Sequence, residues 1–369
     1  MLDRISVLVV AKGFPPDVGG IETYSEQLSL AYSRRGMTVT VITAHLGARG
    51  EERRAGIRVL NVGTGPQGMV FARMLCAFHR LSRETKFDLI HATSWRVAVP
   101  ALILRIPVPI VVSVHGREVF IVPHMLTPVM RLVFRSANAV VAVSRPIMMA
   151  LESRLPFSLK RAGVSWNGIS FGAQARQHIP APDFKRIFCL CRLIDRKNVA
   201  SAVRAVAMLR REGFDITFEI AGSGPEGPAI DQVIEEEGVG SHVRRLGRIS
   251  DAEALVKYRN CGIFLHPQIA TNRGDDLEGF GISIADAMSF GAVAIAGASG
   301  GPLDFIDDDR TGVLVDGHDV DAIANAVRCL LTDVRRSERI AEAGRAFALE
   351  ELTWDRHVEK VLELVAVRT

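Results

Sequence analysis

The sequence predicts an α/β protein made of two doubly wound, parallel-sheet domains. Three observations carry that expectation. Short apolar strand-like runs alternate with amphipathic helical segments almost throughout. The alternation restarts in the second half, after a looser stretch at 168–184. The chain, at 369 residues, also exceeds the usual size of one hydrophobic core.

The first run, ISVLVVA (5–11), is continuously apolar, as a strand covered on both faces should be. From Gly20 to Arg35, Ile21, Tyr24, Leu28 and Tyr32 recur at helical spacing, and Gly36 supplies a C-terminal stop. TVTVITA (38–44), FDLIHAT (87–93), PIVVSVH (109–115) and AVVAVS (139–144) follow as strands, with helical segments among them. The stretch GISFGAQARQHIPAPDF (168–184) reads as a hinge or linker. Beyond it come IFCLCRL (187–193), a helix from about 197, and ITFEIAG (216–222). HVRRLG (242–247), GIFLHP (262–267), AVAIAG (292–297) and GVLV (312–315) complete the second set, and 335–368 reads as helical. The expected domains are 1–170 and 171–350, with 351–369 a C-terminal helix returning to the first. A ligand cleft is expected where the C-terminal strand ends of the two domains face each other.

Composition is that of a globular protein, 48% hydrophobic and 23% charged. No run reaches the roughly 18–20 apolar residues needed to span a bilayer. The N-terminus reads as a buried strand, not a secretory signal. The five cysteines are odd in number and form no C-x-x-C pair; Cys189 and Cys191 share one face of a strand. They read as buried structural thiols of a reducing cytosol. Charge is uneven: residues 1–165 carry 21 basic against 10 acidic residues, and the remainder 24 against 31. A basic first half suits an anionic lipid surface or substrate, and scattered solvated charge explains it equally well. No dense Lys/Arg run is present, which favours scattered charge, and no nucleic-acid partner is expected.

Several motifs point to an anionic, sugar-bearing ligand. KGFPPDVGGIE (12–22) puts Gly19 and Gly20 at a helix start, where bare backbone amides favour an anion or the glycines simply form a structural turn. It lacks the G-K-[ST] ending of a P-loop. CRLIDRK (191–197) sets Arg192 at a strand end and Lys197 at a helix start, cations suited to a diphosphate, or simply solvated. VHGREV (114–119) places His115 at a strand end, a site for chemistry or a structural histidine. EGFGISIAD (278–286) combines Glu278, the exposed backbone of Gly279, Phe280 and Gly281, and Asp286. A carboxylate there can hold a vicinal diol while the first-turn amides hold phosphate oxygens, or Asp286 simply faces solvent in the helix's early turns. GSGPEG (222–227) fits a dinucleotide fingerprint, yet the next strand ends without the acid that would hold a ribose; a structural turn is the commoner explanation. The acidic runs GDD (274–276) and DDD (307–309) read as solvated turns, so no metal site is expected. The segment VPHMLTPVMRLVFR (122–135) suits membrane-surface docking or, preferably, a core helix.

Taken in order, PPDVGGIE, FDLIHA, HGREV, VSWNGI, CRLIDRKN, IAGSGP, LHP, EGFGISIADAMSFG, SGGPLDFI and TGVLV make the chain resemble the retaining, metal-independent glycosyltransferases of family 4. The resemblance covers nearly the whole chain and implies the two-domain GT-B fold. It implies that Arg192 and Lys197 bind the donor diphosphate, with Gly19, Gly20 and the amides of Gly279, Phe280 and Gly281 nearby. Glu278 would face the donor sugar, Asp286 the nucleotide ribose, and His115 the reacting centre. The donor implied is a UDP- or GDP-sugar, so no separate cofactor is needed. The acceptor implied is a lipid or saccharide, as in branches acting on phosphatidylinositol mannosides or diacylglycerol. The expected location is cytoplasmic, with the basic first domain docking peripherally at the inner face of the membrane.

Three positions depart from the family pattern. Asp286 replaces the second Glu of the E-x7-E motif, shortening the arm by one methylene. Asp304 stands where another Glu is usual, and Asn198 replaces a glycine while still tolerating a left-handed turn. Rival readings are a sugar-nucleotide epimerase on the same scaffold, a nucleotide-sugar-binding protein with a degenerate site, and an NADP enzyme.

Overall fold

A computed structural model describes residues 5–271 and 276–365. The chain forms two compact units, one of residues 1–168 with 354–369, the other of residues 169–353. In the first unit the strands are β1 (Ser6–Val10), β2 (Thr38–Thr43), β3 (Gly50–Arg54), β4 (Ile57–Asn61), β5 (Leu89–Ala92), β6 (Ile110–Val114), β7 (Ala139–Ala142) and β8 (Ala162–Val164). They lie in the order β3-β4-β2-β1-β5-β6-β7-β8, parallel except for the β3–β4 pair. The second unit holds β9 (Arg186–Leu190), β10 (Thr217–Ala221), β11 (Val243–Gly247), β12 (Ile263–His266), β13 (Val293–Gly297) and β14 (Val313–Val315). Their order is β11-β10-β9-β12-β13-β14, all parallel. That is the doubly wound order of a mononucleotide-binding sheet, which reverses direction between its first and fourth strands.

The expected doubly wound α/β class is therefore present, and each apolar run read as a strand is one. Three strands carry no such signal. β3, Gly-Glu-Glu-Arg-Arg, is wholly exposed at a sheet edge, where charge discourages pairing with other chains. β4 alternates Ile57 and Val59 with a charged Arg58, and β8 is a three-residue edge strand. The stretch 168–184 is also not a loose linker. From Ile169 onward it is packed on the second unit: Ala175 and Phe184 are buried, and the Ala175 carbonyl accepts from Arg345 at 2.8 Å. Gln177 accepts from Arg259 at 2.7 Å. Gly, Ala and Pro here signal irregular backbone, and the hydrogen bonds that fix it come from distant residues.

The helix Gly20–Arg34 buries Tyr24, Leu28 and Tyr32 against the first sheet, as its spacing predicts. Behind it runs a chain of buried polar groups with only one consistent set of proton positions. His357 Nδ1 faces the Trp166 carbonyl at 3.0 Å and must donate to it. Its Nε2 then accepts from the Tyr24 hydroxyl at 2.8 Å. Tyr24 accepts from Ser113 (2.7 Å), Ser113 from His91 Nε2–H (2.6 Å), and His91 Nδ1 from Tyr32 (2.8 Å). Both histidines must be neutral for this chain to close. Burial depresses both, His357 to about 4 from an ordinary 6.5.

A depressed histidine stabilises the fold fully above its unfolded value, and that contribution is lost as pH falls from 6.5 toward 4. The difference is about 3 kcal/mol for His357. Denaturant midpoints are therefore expected to fall across this window, and less steeply in His357→Gln. Equal slopes in the two proteins would show that His357 does not carry the effect.

Candidate active site

The strand-order reversal in the second unit puts the C-terminal ends of β9 and β12 side by side, where open α/β sheets bind ligands. After β9 the chain makes a 3-10 turn at Asp195–Lys197, and Asn198 takes a left-handed conformation (φ 51°) before the helix Val199–Arg211. The predicted tolerance of Asn198 for that turn is thus used, and Lys197 is buried. Its Nζ pairs with Glu278 Oε2, and Arg196 Nη1 lies 2.5 Å from the same oxygen. Arg196 Nε also reaches Asp276 at 3.3 Å. Burial alone would raise the Glu278 pKa, but Lys197 and Arg196 outweigh it and hold the carboxyl well below its usual range. Glu278 is ionised at any physiological pH.

β12 supplies the other side of the cluster. Gln268 donates through Nε2 to the Gly297 carbonyl (2.7 Å) and accepts through Oε1 from the Gly297 amide (3.1 Å), which fixes its amide orientation. His266 Nδ1 must therefore donate to Gln268 Oε1 (2.8 Å), leaving Nε2 to accept from Lys197 at 3.2 Å. Arg196 and Lys197 are thus balanced by Asp276 and Glu278. Arg192, exposed beyond the end of β9, pairs with no carboxylate among the described residues. Its charge is available to an incoming anion.

The EGFG turn is built by close backbone approach. Gly281 (φ 98°) precedes the helix Ile282–Ser289. The Gly301 amide donates to the Glu278 carbonyl at 2.8 Å. A Cβ at Gly300 or Gly301 would come within 2.3 Å of the Glu278 or Gly279 carbonyl oxygen. Phe280 is buried against Phe305, ring centroids 4.7 Å apart, so only its backbone can serve a ligand. The GSGPEG glycines have a similar cause. A Cβ at Gly222 or Gly224 would come within 1.8 or 2.1 Å of the Cys191 or Leu193 carbonyl oxygen. Backbone packing accounts for them without a dinucleotide.

Asp286 has a partner that no sequence pattern indicates. It is buried, and its Oδ1 accepts from the Ser170 amide at 2.6 Å. Burial pushes its carboxyl up to about 7. A carboxyl raised in the folded state costs stability once it ionises, so the cost grows as pH rises from 3.8 through 7. Asp286→Asn is therefore expected to melt higher than the parent at pH 8 and to lose that advantage as pH falls to about 4. If the carboxylate also accepts from a nucleotide ribose, the variant will bind nucleotide about tenfold more weakly while being more stable. Unchanged affinity would remove Asp286 from ribose binding.

In the first unit, His115 follows β6. Its ring Nε2 faces the Thr93 carbonyl at 3.1 Å and so carries the proton; its amide donates to Glu118 at 2.6 Å. Burial lowers its pKa, so the ring is neutral with Nδ1 as an acceptor. Tyr24 packs edge-on at 4.4 Å and fixes the ring plane. Gly20 is exposed, and a Cβ there would meet nothing within 4 Å, so packing does not require the glycine.

Three residues of the cluster have no role in the motif reading, although CRLIDRKN and LHP contain two of them: Arg196, His266 and Gln268. Their only sequence signal is position, a cation beside Lys197 and polar groups after an apolar strand. The DDD run behaves as a turn, whereas Asp276 of the GDD run is not a solvated turn residue but is largely covered and paired with Arg196 in the cluster. Asp307 pairs with Arg310 at 3.0 Å, and Asp308 accepts from the Leu314 amide at 2.8 Å. Residues 274 and 275 of the GDD run lie outside the described residues. The cysteines are less buried than expected: Cys76 is exposed, and Cys191 and Cys329 are half-buried.

Two family models match consecutive parts of the chain: "Glycosyltransferase Family 4" over residues 18–172 and "Glycosyl transferases group 1" over 171–347. The GDP-mannose-dependent alpha-(1-6)-phosphatidylinositol monomannoside mannosyltransferase of Mycolicibacterium smegmatis is 30% identical, over 98% of both chains. The chain belongs to glycosyltransferase family 4. This family 4 protein is a hexosyltransferase. It is also 25% identical, over 97% of both chains, to the GDP-mannose-dependent monoacylated alpha-(1-6)-phosphatidylinositol monomannoside mannosyltransferase of Corynebacterium glutamicum. Among solved structures it superposes on sucrose-phosphate synthase from Thermosynechococcus elongatus with a TM-score of 0.79, at 19% identity over 98% of each chain. Anabaena Alr3699/HepE in complex with UDP and glucose gives 0.77, at 17% identity over 99% of this chain and 100% of that one. These likenesses establish the GT-B fold of this family 4 enzyme.

Proposed function

We propose that the protein transfers a mannosyl group, with retention, from GDP-mannose to a hydroxyl of an inositol-phospholipid glycoside at a membrane surface. The observation that carries this is the switch-point cluster, an ionised Glu278 gripped by Lys197 and Arg196, with Arg192 paired to no carboxylate among the described residues. A buried carboxylate is an acceptor for sugar hydroxyls, and the cations suit a diphosphate. The named activities of the relatives supply the choice of donor and acceptor.

In this reading Arg192 and Lys197 bind the diphosphate, helped by the amides of Gly19, Gly20, Gly279, Phe280 and Gly281. Glu278 orients the sugar, and Asp286 takes the ribose with the lone pairs Ser170 leaves unused. Neutral His115 accepts a sugar hydroxyl through Nδ1. Transfer needs no protein nucleophile: the acceptor oxygen attacks on the face the diphosphate leaves, and the departing phosphate oxygen takes its proton. The chain then contributes positioning and charge stabilisation, and these side-chain cations do the work a metal would otherwise do.

Among the described residues no helix is long and apolar enough to cross a membrane. The helix Thr127–Ser136 buries Met130, Val133 and Phe134, as a core helix should. Its other face and the preceding turn expose Ile121, Met125, Leu126 and Leu132 beside Arg117, Arg131 and Arg135. That mixture of apolar and basic side chains supports peripheral binding to anionic lipid at the cytoplasmic face.

Thermal shift against GDP, UDP, ADP and their sugars is expected to single out GDP and GDP-mannose. Radiolabel should then pass from GDP-mannose to a phosphatidylinositol mannoside in anionic vesicles, and more slowly in neutral ones. Selective stabilisation by UDP would overturn the donor. Conversion of GDP-mannose to another nucleotide sugar without acceptor would favour an epimerase.

A further inference from the structure

Cys189 and Cys191 have no part in the transfer chemistry, yet they stand at its edge. Cys189 lies within β9 and is fully buried; Cys191 follows the strand and is half-buried. Their Sγ atoms are 3.8 Å apart and unbridged. At the strand rise of roughly 3.3 Å per residue their Cα atoms lie about 6.6 Å apart, near the upper end of the disulfide range. Lys197 adds positive charge near the Cys191 thiol. The bond from its neighbour, with the charge of Lys197, draws the Cys191 thiol down, while that same bond and burial push Cys189 up. The less buried of the two residues is thus the one favoured as thiolate, and a protonated partner waits beside it.

We propose that Cys191 and Cys189 form a peroxide-sensitive thiol pair whose closure to a disulfide disables the diphosphate end of the donor site. The covalent part stands on the sulfur geometry alone; the loss of donor binding rests on the site reading above. The Cys191 thiolate attacks hydrogen peroxide: an S–O bond forms, the O–O bond breaks, and hydroxide leaves. Sulfur is oxidised by two electrons to the sulfenic acid, and the oxygen of peroxide is reduced. Cys189 sulfur then attacks Cys191 sulfur; the S–S bond forms, the S–O bond breaks, and hydroxide departs as water with the Cys189 proton. In sum, two thiols and one peroxide give one disulfide and two waters.

Closure must move backbone. Drawing two sulfurs together from strand positions near the limit of bridging pulls on residue 191. Its carbonyl already sits so close to Gly222 that a Cβ there would lie 1.8 Å away. With no slack on that side, the segment that carries Arg192, Arg196 and Lys197 is displaced instead. A bridge held near its geometric limit is also readily reduced, which makes the modification reversible.

The experiment treats reduced full-length protein with hydrogen peroxide and digests it with trypsin, which releases Ile187–Arg192 with both cysteines in one peptide. That peptide is expected to lose two hydrogens and regain them with dithiothreitol. Cys189→Ser, or Cys189→Ala if the first folds poorly, should stop at a sulfenic acid on Cys191 that dimedone traps. Cys191→Ser should leave the peptide unmodified. GDP affinity by calorimetry is expected to fall at least tenfold on oxidation and to recover on reduction. A peptide that stays reduced while Cys76 or Cys329 reacts overturns the proposal. A bridge that leaves GDP affinity unchanged overturns its effect on the site. Reduced protein that binds no GDP overturns the donor reading, and leaves the thiol chemistry standing.

Discussion

Replacing Glu278 by glutamine is expected to lower kcat for hexosyl transfer by at least about 10²-fold. It is also expected to lower unfolding stability by about 3 kcal/mol. The stability loss follows from the ion pairs. Lys197 and Glu278 are 7% and 8% exposed, and removing one partner of so buried a pair leaves the other charge without compensation. Glutamine keeps an acceptor for Lys197 but not the charge that also holds Arg196. The kinetic loss follows from the proposed role on the sugar, which no neutral amide reproduces once charge develops at the reacting carbon. GDP carries no sugar and responds in the opposite direction. With the internal anion gone, Lys197 and Arg196 are free for phosphate oxygens, so GDP is expected to bind more tightly to Glu278→Gln than to the parent. Glu278→Asp should recover much of the stability and little of the turnover, because it restores the charge at a shorter reach. Calorimetry with GDP and steady-state kinetics read the two effects separately. Weaker GDP binding in the glutamine variant would mean that Lys197 and Arg196 do not face the diphosphate.

What the sequence made legible divides along physical lines. Strands covered on both faces, such as β1, β6 and β13, announce themselves because every position must be apolar. The edge strands β3 and β8 do not, because one row of their backbone and much of their side-chain surface meets water. Motif reading finds Lys197 and Glu278 because each sits in a distinctive local pattern. Their pairing across 81 residues, and the roles of Arg196, His266 and Gln268, become visible only when β9 and β12 lie side by side. Asp286 shows the limit most clearly. Its place in the family's E-x7-E pattern implies a ribose ligand, while its burial and its bond to Ser170 depend on where residues 169–171 fold back. Cys191 is similar: its sequence context is an apolar strand end, and its chemical setting comes from the Cys189 sulfur and the charge of Lys197.

Ending the chain after Thr353 is expected to leave the first unit unable to fold while the second retains its structure. The helix Trp354–Val365 is last in sequence but belongs to the first unit. It buries Trp354, Val358, Val361 and Leu362. At about 1.5–3 kcal/mol for each large apolar side chain, that burial is worth roughly 6–12 kcal/mol. This is comparable with the whole stability of a typical domain, about 5–15 kcal/mol. Truncation also removes His357, so the Tyr24 hydroxyl loses its acceptor inside an apolar core. The fit at this seam leaves nothing to fill the gap. A Cβ at Gly168 would come within 2.3 Å of the Trp354 amide nitrogen, and one at Gly163 within 2.8 Å of the Leu364 side chain. The second unit has its own core, centred on Phe218, Leu265, Val203 and Val327, and none of it comes from beyond Thr353. Hydrogen exchange on the truncated chain is therefore expected to find β1, β2, β5 and β6 unprotected and β9 to β13 protected. Supplying residues 354–369 as a separate peptide should restore protection to the first set, because the lost free energy lies in packing that a peptide can re-form. Protection of β1 and β5 in the truncated chain alone would show that the first sheet is stable without its terminal helix, and that the polar chain through Tyr24 contributes little to holding it.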